Sequence, residues 1–276
     1  MNSCCIRRPA SNPAGFATFA LWLLVSVLAW PSIASGEEAA SKTLRIAYVE
    51  FPPLSYRNEA GEADGAMMEI TRKVAIEAGY TPEFIYLPVS RVYLYLRNGL
   101  IDLWPGPTDI PTLDGEVLES WASPMPIQLS AWYSQNKMRP LENFNQLRGK
   151  TVIVIGGYTY AGLINWLNDV EDIRITEAPN HRSAIDMLKR NRGDYLLDYR
   201  EPVLEILDGP ADEKIGETEV RSRNVAWLFS LARPRAAILR EEFDDAYLRL
   251  AEKGEVPGVR TVMPAYIIPG FPEQYR

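Results

Sequence analysis

The stretch "LRNGLIDLWPG", Leu96–Gly106, is echoed further along the chain by "LKRNRGDYLLDY", Leu188–Tyr199. Each closes a helix-compatible run, passes a Gly, and enters an apolar run through an Asp, Asp102 in one case and Asp194 in the other. The Gly supplies the left-handed conformation that stops a helix. The short apolar run after the Asp predicts a buried strand. A helix, a turn and a buried strand made twice predict two similar α/β units in one chain.

Working outward, "TLRIAYVEF", Thr43–Phe51, reads as a strand stopped by Pro52-Pro53, and "YRNEAGEADG" as a hairpin tip. Ala66, Met67, Ile70, Val74 and Ala78 keep to one face at helical spacing, with Gly79 as the stop. "EFIYLP" reads as a second strand, and Ser90 as the cap of a helix running to Arg97. Strand, helix, strand, helix, strand predicts a parallel sheet with helices on its faces. Ligands bind such sheets beyond the carboxyl ends of the strands, here Tyr48–Phe51, Leu87–Arg91 and Trp104–Asp109.

After a turn-rich segment from Pro107 to Pro126, "IQLSAWYSQ" reads as a strand and the order starts again. "NFNQLRGK" is a short helix or turn, "TVIVIGG" a strand, and 160–168 a helix. "IRITEA" is a strand, Ser183–Arg190 a helix, "DYLLDY" a strand and Pro202–Leu207 a helix. "NVAWLFSL" is the last strand expected, followed by a long helix from Pro234 to Lys253 with Ile238, Leu239, Phe243, Ala246 and Leu250 as its apolar stripe. This closing piece has no sheet of its own and is expected to pack back on the first unit.

The chain has 276 residues, 47% hydrophobic and 24% charged, which is ordinary globular composition. A formal charge of -7 without a long basic run argues against nucleic-acid binding. Arg7-Arg8, the apolar run "FATFALWLLVSVLAW" and the small residues "SIASG" read as a secretory signal peptide over 1–36, cleaved after Ala34 or Gly36. The apolar run is short for a span of about 20 residues, which disfavours an uncleaved anchor. Both cysteines, Cys4 and Cys5, precede that run, so the mature chain is expected to carry no disulfide and no thiolate metal site.

From Thr43 to Pro257 the chain resembles the family 3 extracellular solute-binding proteins, the amino-acid-type periplasmic receptors of ABC importers. The segments that carry the likeness are "LRIAYVEFPPLSY", "DGAMMEI", "LRNGLIDL", "ESWASPMPI", "QLRGKTVIVIGGYTY", "AIDMLKRNRGDYLLD" and "AYLRLAEKGEVPGV", in that order. The resemblance implies an α/β, two-lobed periplasmic-binding-protein-like fold of type 2, with two α/β sheets joined by a two-strand hinge. It places the first lobe at 43–131 plus 224–276 and the second at 133–223, with closure around ligand as the working motion. A small-molecule ligand, a membrane ABC permease encoded elsewhere, a periplasmic location and a monomeric state are implied with it.

The ligand chemistry departs from the family. Amino-acid binders hold the α-carboxylate with an Arg after the first Asp-led strand, because a guanidinium pairs with a carboxylate through two hydrogen bonds. Here no Arg or Lys falls between Arg97 and Lys137, and Asp109 stands in that region. The family's ammonium-binding Asp corresponds to Tyr199, with Asp198 one place earlier, and one residue decides which face of a strand a side chain occupies. Arg91, in "PVSR", is the expected substitute for the missing clamp; the motif is similar to a Pro-x-x-Arg motif in family members of unassigned ligand. The remaining expected ligand contacts are Glu50, Phe51, Trp104, Gly106, Tyr158, Thr159, Tyr160, Asp198 and Tyr199. The turn at Gly156-Gly157 is expected to offer backbone N–H groups to a polar or anionic group.

His181 is the single histidine and reads as a solvated turn residue. One His and no mature Cys exclude a Ser-His-Asp triad unless His181 serves it, and exclude His-rich metal sites. No nucleotide-binding glycine pattern occurs and no cofactor is expected. The reading is a non-enzymatic binding protein for a small polar organic solute. Its alternatives are an enzyme resembling cyclohexadienyl dehydratase, using Glu50, Asp109 or Asp198 as acid, and a periplasmic sensor acting through a partner.

Overall fold

The computed structural model describes residues 42–207, 212–259 and 266–275. The signal-peptide and Cys4–Cys5 readings lie outside the described residues. Among the described residues no helix is long and apolar enough to cross a membrane.

In chain order the first half comprises β1 (Lys42–Tyr48), a hairpin of β2 (Tyr56–Arg57) and β3 (Ala63–Asp64), α1 (Ala66–Glu77), β4 (Tyr80–Tyr86), α2 (Val89–Arg97), β5 (Leu103–Pro107) and β6 (Val117–Glu119). Then β7 (Met125–Ser134) leads to β8 (Thr151–Ile155), α3 (Leu163–Asp169), β9 (Arg174–Ala178), α4 (His181–Lys189), β10 (Tyr195–Tyr199) and α5 (Arg200–Leu204). The chain returns through β11 (Ile215–Ser230) and ends its regular structure in α6 (Ala236–Glu252).

The main sheet runs β4-β1-β5-β11-β7-β10-β8-β9, with β6 on β11. Pairing is parallel among β4, β1 and β5 and among β10, β8 and β9. The long strands β7 and β11 are antiparallel to each other and to their outer neighbours, so they join the two parallel halves. These are the two α/β units expected from the repeat, in the two-lobed arrangement that the resemblance implies.

Local chemistry explains most of the elements. In α1, Met67, Met68, Ile70, Val74 and Ala75 are buried, as a 3.6-residue period requires. The helix is entered at Gly65, where φ is 111° and a Cβ would lie 2.6 Å from the Leu54 backbone, so only glycine fits. In α2 the N-cap is Pro88 and Ser90 sits inside the first turn without capping. In α6 the stripe includes Tyr247, whereas Ile238, assigned to it by spacing, points outward and is 52% exposed.

The two aspartates of the repeat do the same job. Asp102 N–H donates to Arg45 O at 2.8 Å, and Arg45 N–H donates back to Asp102 Oδ2 at 2.8 Å. Asp194 N–H donates to Thr151 O at 2.7 Å, and Thr151 N–H donates back to Asp194 Oδ2 at 2.8 Å. Each carboxylate thereby fixes the register of the neighbouring parallel strand. Arg233 Nε lies 2.7 Å from Asp102 and Lys137 Nζ lies 3.2 Å from Asp194.

Partial burial pushes the Asp194 carboxyl up, but the Thr151 N–H and the Lys137 ammonium together outweigh it and hold it below its ordinary value. A depressed carboxyl stabilises the fold fully above its unfolded pKa and loses that contribution as pH falls through the lower folded value. Asp194→Ala should therefore cost about 1.5–3 kcal/mol at neutral pH, the range for hydrogen bonds to charged groups. The deficit should shrink in urea titrations below about pH 4. An equal deficit at pH 3 and pH 7 would contradict the assignment.

The core divides along the same lines. One cluster joins Leu44, Ile46, Met68, Val74 and Leu103 to Trp227, Phe243 and Tyr247, which packs α6 against the first half. A second joins Leu129, Phe144, Val152, Val154, Leu163 and Leu197. Ile268 and Phe271 belong to this second cluster, although sequence grouped everything after 224 with the first lobe. Sequence also began the last strand only at Asn224. Charged residues at Glu217, Glu219, Arg221 and Arg223 disguised the first part of β11, where Glu217 and Arg223 find partners only in the folded sheet.

Candidate functional site

The carboxyl ends of β1 and β5 in one half face those of β8 and β10 in the other. A cavity of about 70 Å³ lies between them. About 10–15 Å³ of such space holds one water, so it admits on the order of five waters or a small solute. Of the expected residues, Phe51, Trp104, Gly106, Tyr158, Thr159, Tyr160 and Tyr199 line it. So do Met67, Val89, Tyr93, Ile127 and Val225, none of which sequence named as a ligand contact. Among the described lining residues none carries a charge.

The walls touch across the gap. Tyr158 Oη donates to Glu50 O at 2.5 Å. The Tyr93 and Thr159 hydroxyls are 2.8 Å apart. Phe51 meets the Tyr199 ring edge-on at 5.0 Å, and Tyr199 stacks on Tyr160 at 6.0 Å and 18°. Tyr160 is fixed by its own Oη, which accepts from Ile155 N–H at 2.7 Å. Its backbone and that of Ala161 sit at φ 49° and 55°, costly positions for residues with a Cβ. Burial raises the phenols of Tyr158, Tyr160 and Tyr199, helped at all three by the Asp198 charge, so they stay protonated and can donate.

The charged candidates go elsewhere. Arg91 is exposed on α2 and does not line the cavity. In place of a clamp, this wall contributes Val89 and Tyr93 from the same helix. Glu50 is exposed and offers only its backbone oxygen. Asp109 is exposed at φ 55°, with its N–H bonded to Glu119 Oε1 at 2.8 Å. It lines a separate surface recess with Pro111, Leu113 and Glu119. At the Gly156-Gly157 turn, Gly156 N–H donates to Ala178 O and Tyr158 N–H to Ile155 O, so those groups are already used.

Asp198 is fully buried beneath the cavity, and His181, expected in solvent, is buried beside it. His181 Nδ1 lies 2.8 Å from Asp198 Oδ2, and Nε2 lies 3.1 Å from Tyr158 Oη. With Tyr158 donating to Glu50, its oxygen accepts from Nε2–H. The His181 Nδ1 is held by the Asp198 carboxyl, so both ring nitrogens are engaged. A signal existed in the sequence: a lone Asp in the apolar run "YLLDY" needs a buried partner, and only one histidine was available.

Among the described residues no group of three or more His, Cys, Asp or Glu side chains is placed to hold a metal ion.

A two-lobed α/β protein with an aromatic-walled cavity between the strand ends of its halves has the fold of the periplasmic binding proteins. Within that class the chain is similar to the bacterial extracellular solute-binding proteins, family 3, whose family model matches residues 44–112. Structural similarity extends over most of the chain. A histidine kinase sensor domain with similarity to periplasmic binding proteins superposes with TM-score 0.65 and 17% identity, covering 78% of this chain and 92% of its own. An ancestral arginine-binding protein bound to arginine gives TM-score 0.62 and 19% identity over 77% and 94%. An ancestral amino-acid-binding protein described as a precursor of cyclohexadienyl dehydratase gives 0.61 and 16% over 77% and 91%. No curated protein sequence matches significantly.

Proposed function

We propose that this protein is an exported solute-binding protein that captures a small polar organic solute between its lobes and delivers it to an ABC-type importer in the membrane. The lobes are residues 43–131 plus 224–259 and residues 133–207, 212–223 and 266–275, the closing segment being assigned to the second lobe because Ile268 and Phe271 pack there. The observation that carries the reading is the cavity itself. It is walled by side chains from both halves, and Tyr158–Glu50 and Tyr93–Thr159 bridge it. Such contacts are made when the halves close and broken when they open, which is how a hinged receptor takes up and releases a ligand.

A thermal-shift screen of amino acids, organic acids, amines and small sugars tests this. A solute at a hundred times its Kd adds about 2.7 kcal/mol to the native state. For a chain of this size that is a rise of roughly 5–10 °C. No rise with any class would sink the reading. Likeness to the sensor domain supports a second reading, in which the same ligand-closed form is read by a membrane partner rather than an importer. Chemical turnover of the bound solute would replace both with an enzyme.

A further inference from the structure

Arg221 and Arg223 occupy alternate positions on β11, so their side chains share one face of the strand. Both are buried, at 6% and 8% exposure. Arg223 is committed to the backbone: Nη1 donates to Thr108 O and Asp109 O at 2.5 Å each, and Nη2 to Tyr275 O at 3.3 Å. Arg221 is not so committed. Its guanidinium lies 5.5 Å from the Phe271 ring centre, and its buried Nε has no hydrogen-bond partner among the described residues. Neither arginine forms an ion pair with a described carboxylate.

The two arginines line a small recess whose other walls include Ile127, Tyr160, Ala161 and Tyr199, and those same residues wall the main cavity. Trp104, which lines the main cavity, carries a second buried donor, Nε1, without a partner among the described residues. The recess beside the cavity is therefore bordered by a buried positive charge that no described carboxylate pairs. No Asp or Glu lines either space. Asp198, a buried carboxylate beneath, is taken by His181. Buried charges in folded proteins are paired, because an unpaired one keeps its full desolvation penalty. Burial, reinforced by the Arg223 charge, pulls the Arg221 guanidinium down to about 10, in keeping with a site that lacks its counter-ion.

Resting on the solute-binding reading, we infer that Arg221 is the ligand's carboxylate-binding residue, and that the ligand is a small organic carboxylate with an apolar or aromatic body and no ammonium group. The guanidinium edge pairs with a carboxylate in bidentate fashion. Phe51, Trp104, Tyr158 and Tyr199 supply a surface for the body. An α-ammonium would enter a space without an anion to receive it.

Calorimetric titration of the full chain decides the matter with matched probes: aliphatic and aromatic monocarboxylates such as benzoate and phenylacetate, their amides, and amino acids of like side chain. The best carboxylate should bind at least about 10-fold tighter than its amide and its amino acid. Arg221→Met should weaken that carboxylate by about 100-fold or more, the usual loss when one partner of a buried charge pair is removed, while the amide changes less than about 3-fold. Should Arg221→Met fail to fold, Arg221→Lys, which keeps the charge but not the Nε donor, should show a smaller loss in the same direction. An amide or amino acid that binds as well as the acid, or a variant that keeps full affinity, overturns the assignment. If only neutral or cationic solutes bind, the carboxylate inference fails and the solute-binding reading stands; if nothing binds, both fail.

Discussion

Trp227→Ala should lower the unfolding free energy by about 3–5 kcal/mol, the range for deleting a buried aromatic side chain. The indole is fully buried where three elements meet. It packs edge-on against Phe243 at 5.7 Å and Tyr247 at 5.3 Å, both on α6. Its Nε1 donates to Thr71 Oγ1 on α1 at 3.0 Å. Alanine would open a cavity bounded by two helices and the sheet, and would also strand part of the Thr71 hydrogen bonding. For a protein of this size each kcal/mol lowers Tm by roughly 2–4 °C. The expected drop is therefore about 6–20 °C by calorimetry. A drop under about 3 °C would mean that α6 is not anchored through this ring. Solute binding, if the variant folds at low temperature, should persist, because Trp227 does not line the cavity.

Gly106→Ala should do the reverse, abolishing solute binding with a smaller loss of stability. A Cβ at Gly106 would lie 2.5 Å from Trp104 Cη2 and Cζ3, well inside contact distance. The indole is only 3% exposed and is backed by Tyr93, with ring centres 5.9 Å apart. Its open direction is the cavity, and a ring displaced into about 70 Å³ takes the space the solute needs. Overpacking of this kind costs about 1–3 kcal/mol of stability. Whichever solute raises the wild-type melting temperature should give no measurable rise with the variant at the same concentration. A full rise would show that the solute binds outside this cavity.

Much of the fold was legible because it rests on local rules. The repeated helix, Gly turn and Asp-led strand marked two α/β units, and the apolar periods of α1 and α6 marked the helices that cover them. The exceptions have physical causes. Ile238 fits the period of α6, yet it points outward while Tyr247 is taken into the core. The first part of β11 goes unassigned by sequence, because Glu217 and Arg223 are satisfied by groups far away in sequence, Gln128 and Ser130 for one and Thr108 for the other.

At the site the aromatic candidates and the charged ones fared differently. Phe51, Trp104, Gly106, Tyr158, Thr159, Tyr160 and Tyr199 sit at strand ends, and a parallel sheet brings strand ends together whatever the details of packing. For a charged residue, position along the chain does not say where the charge points. Asp198 turned inward to His181, Arg91 faced solvent, and Asp109 turned into a surface recess.

Sequence by itself thus determined the two-unit α/β plan and the gathering of aromatic residues at the strand ends, since both follow from spacing along the chain, whereas the hydrogen bonds by which Asp102 and Asp194 lock neighbouring strands came from the structure. Only the tertiary structure decided which polar groups are paired and which are spare. Pairing of buried charge is set by contacts between distant segments. That is why the Nε of Arg221, without a partner among the described residues and near a cavity whose described lining carries no charge, emerged only once β11 was laid across both halves.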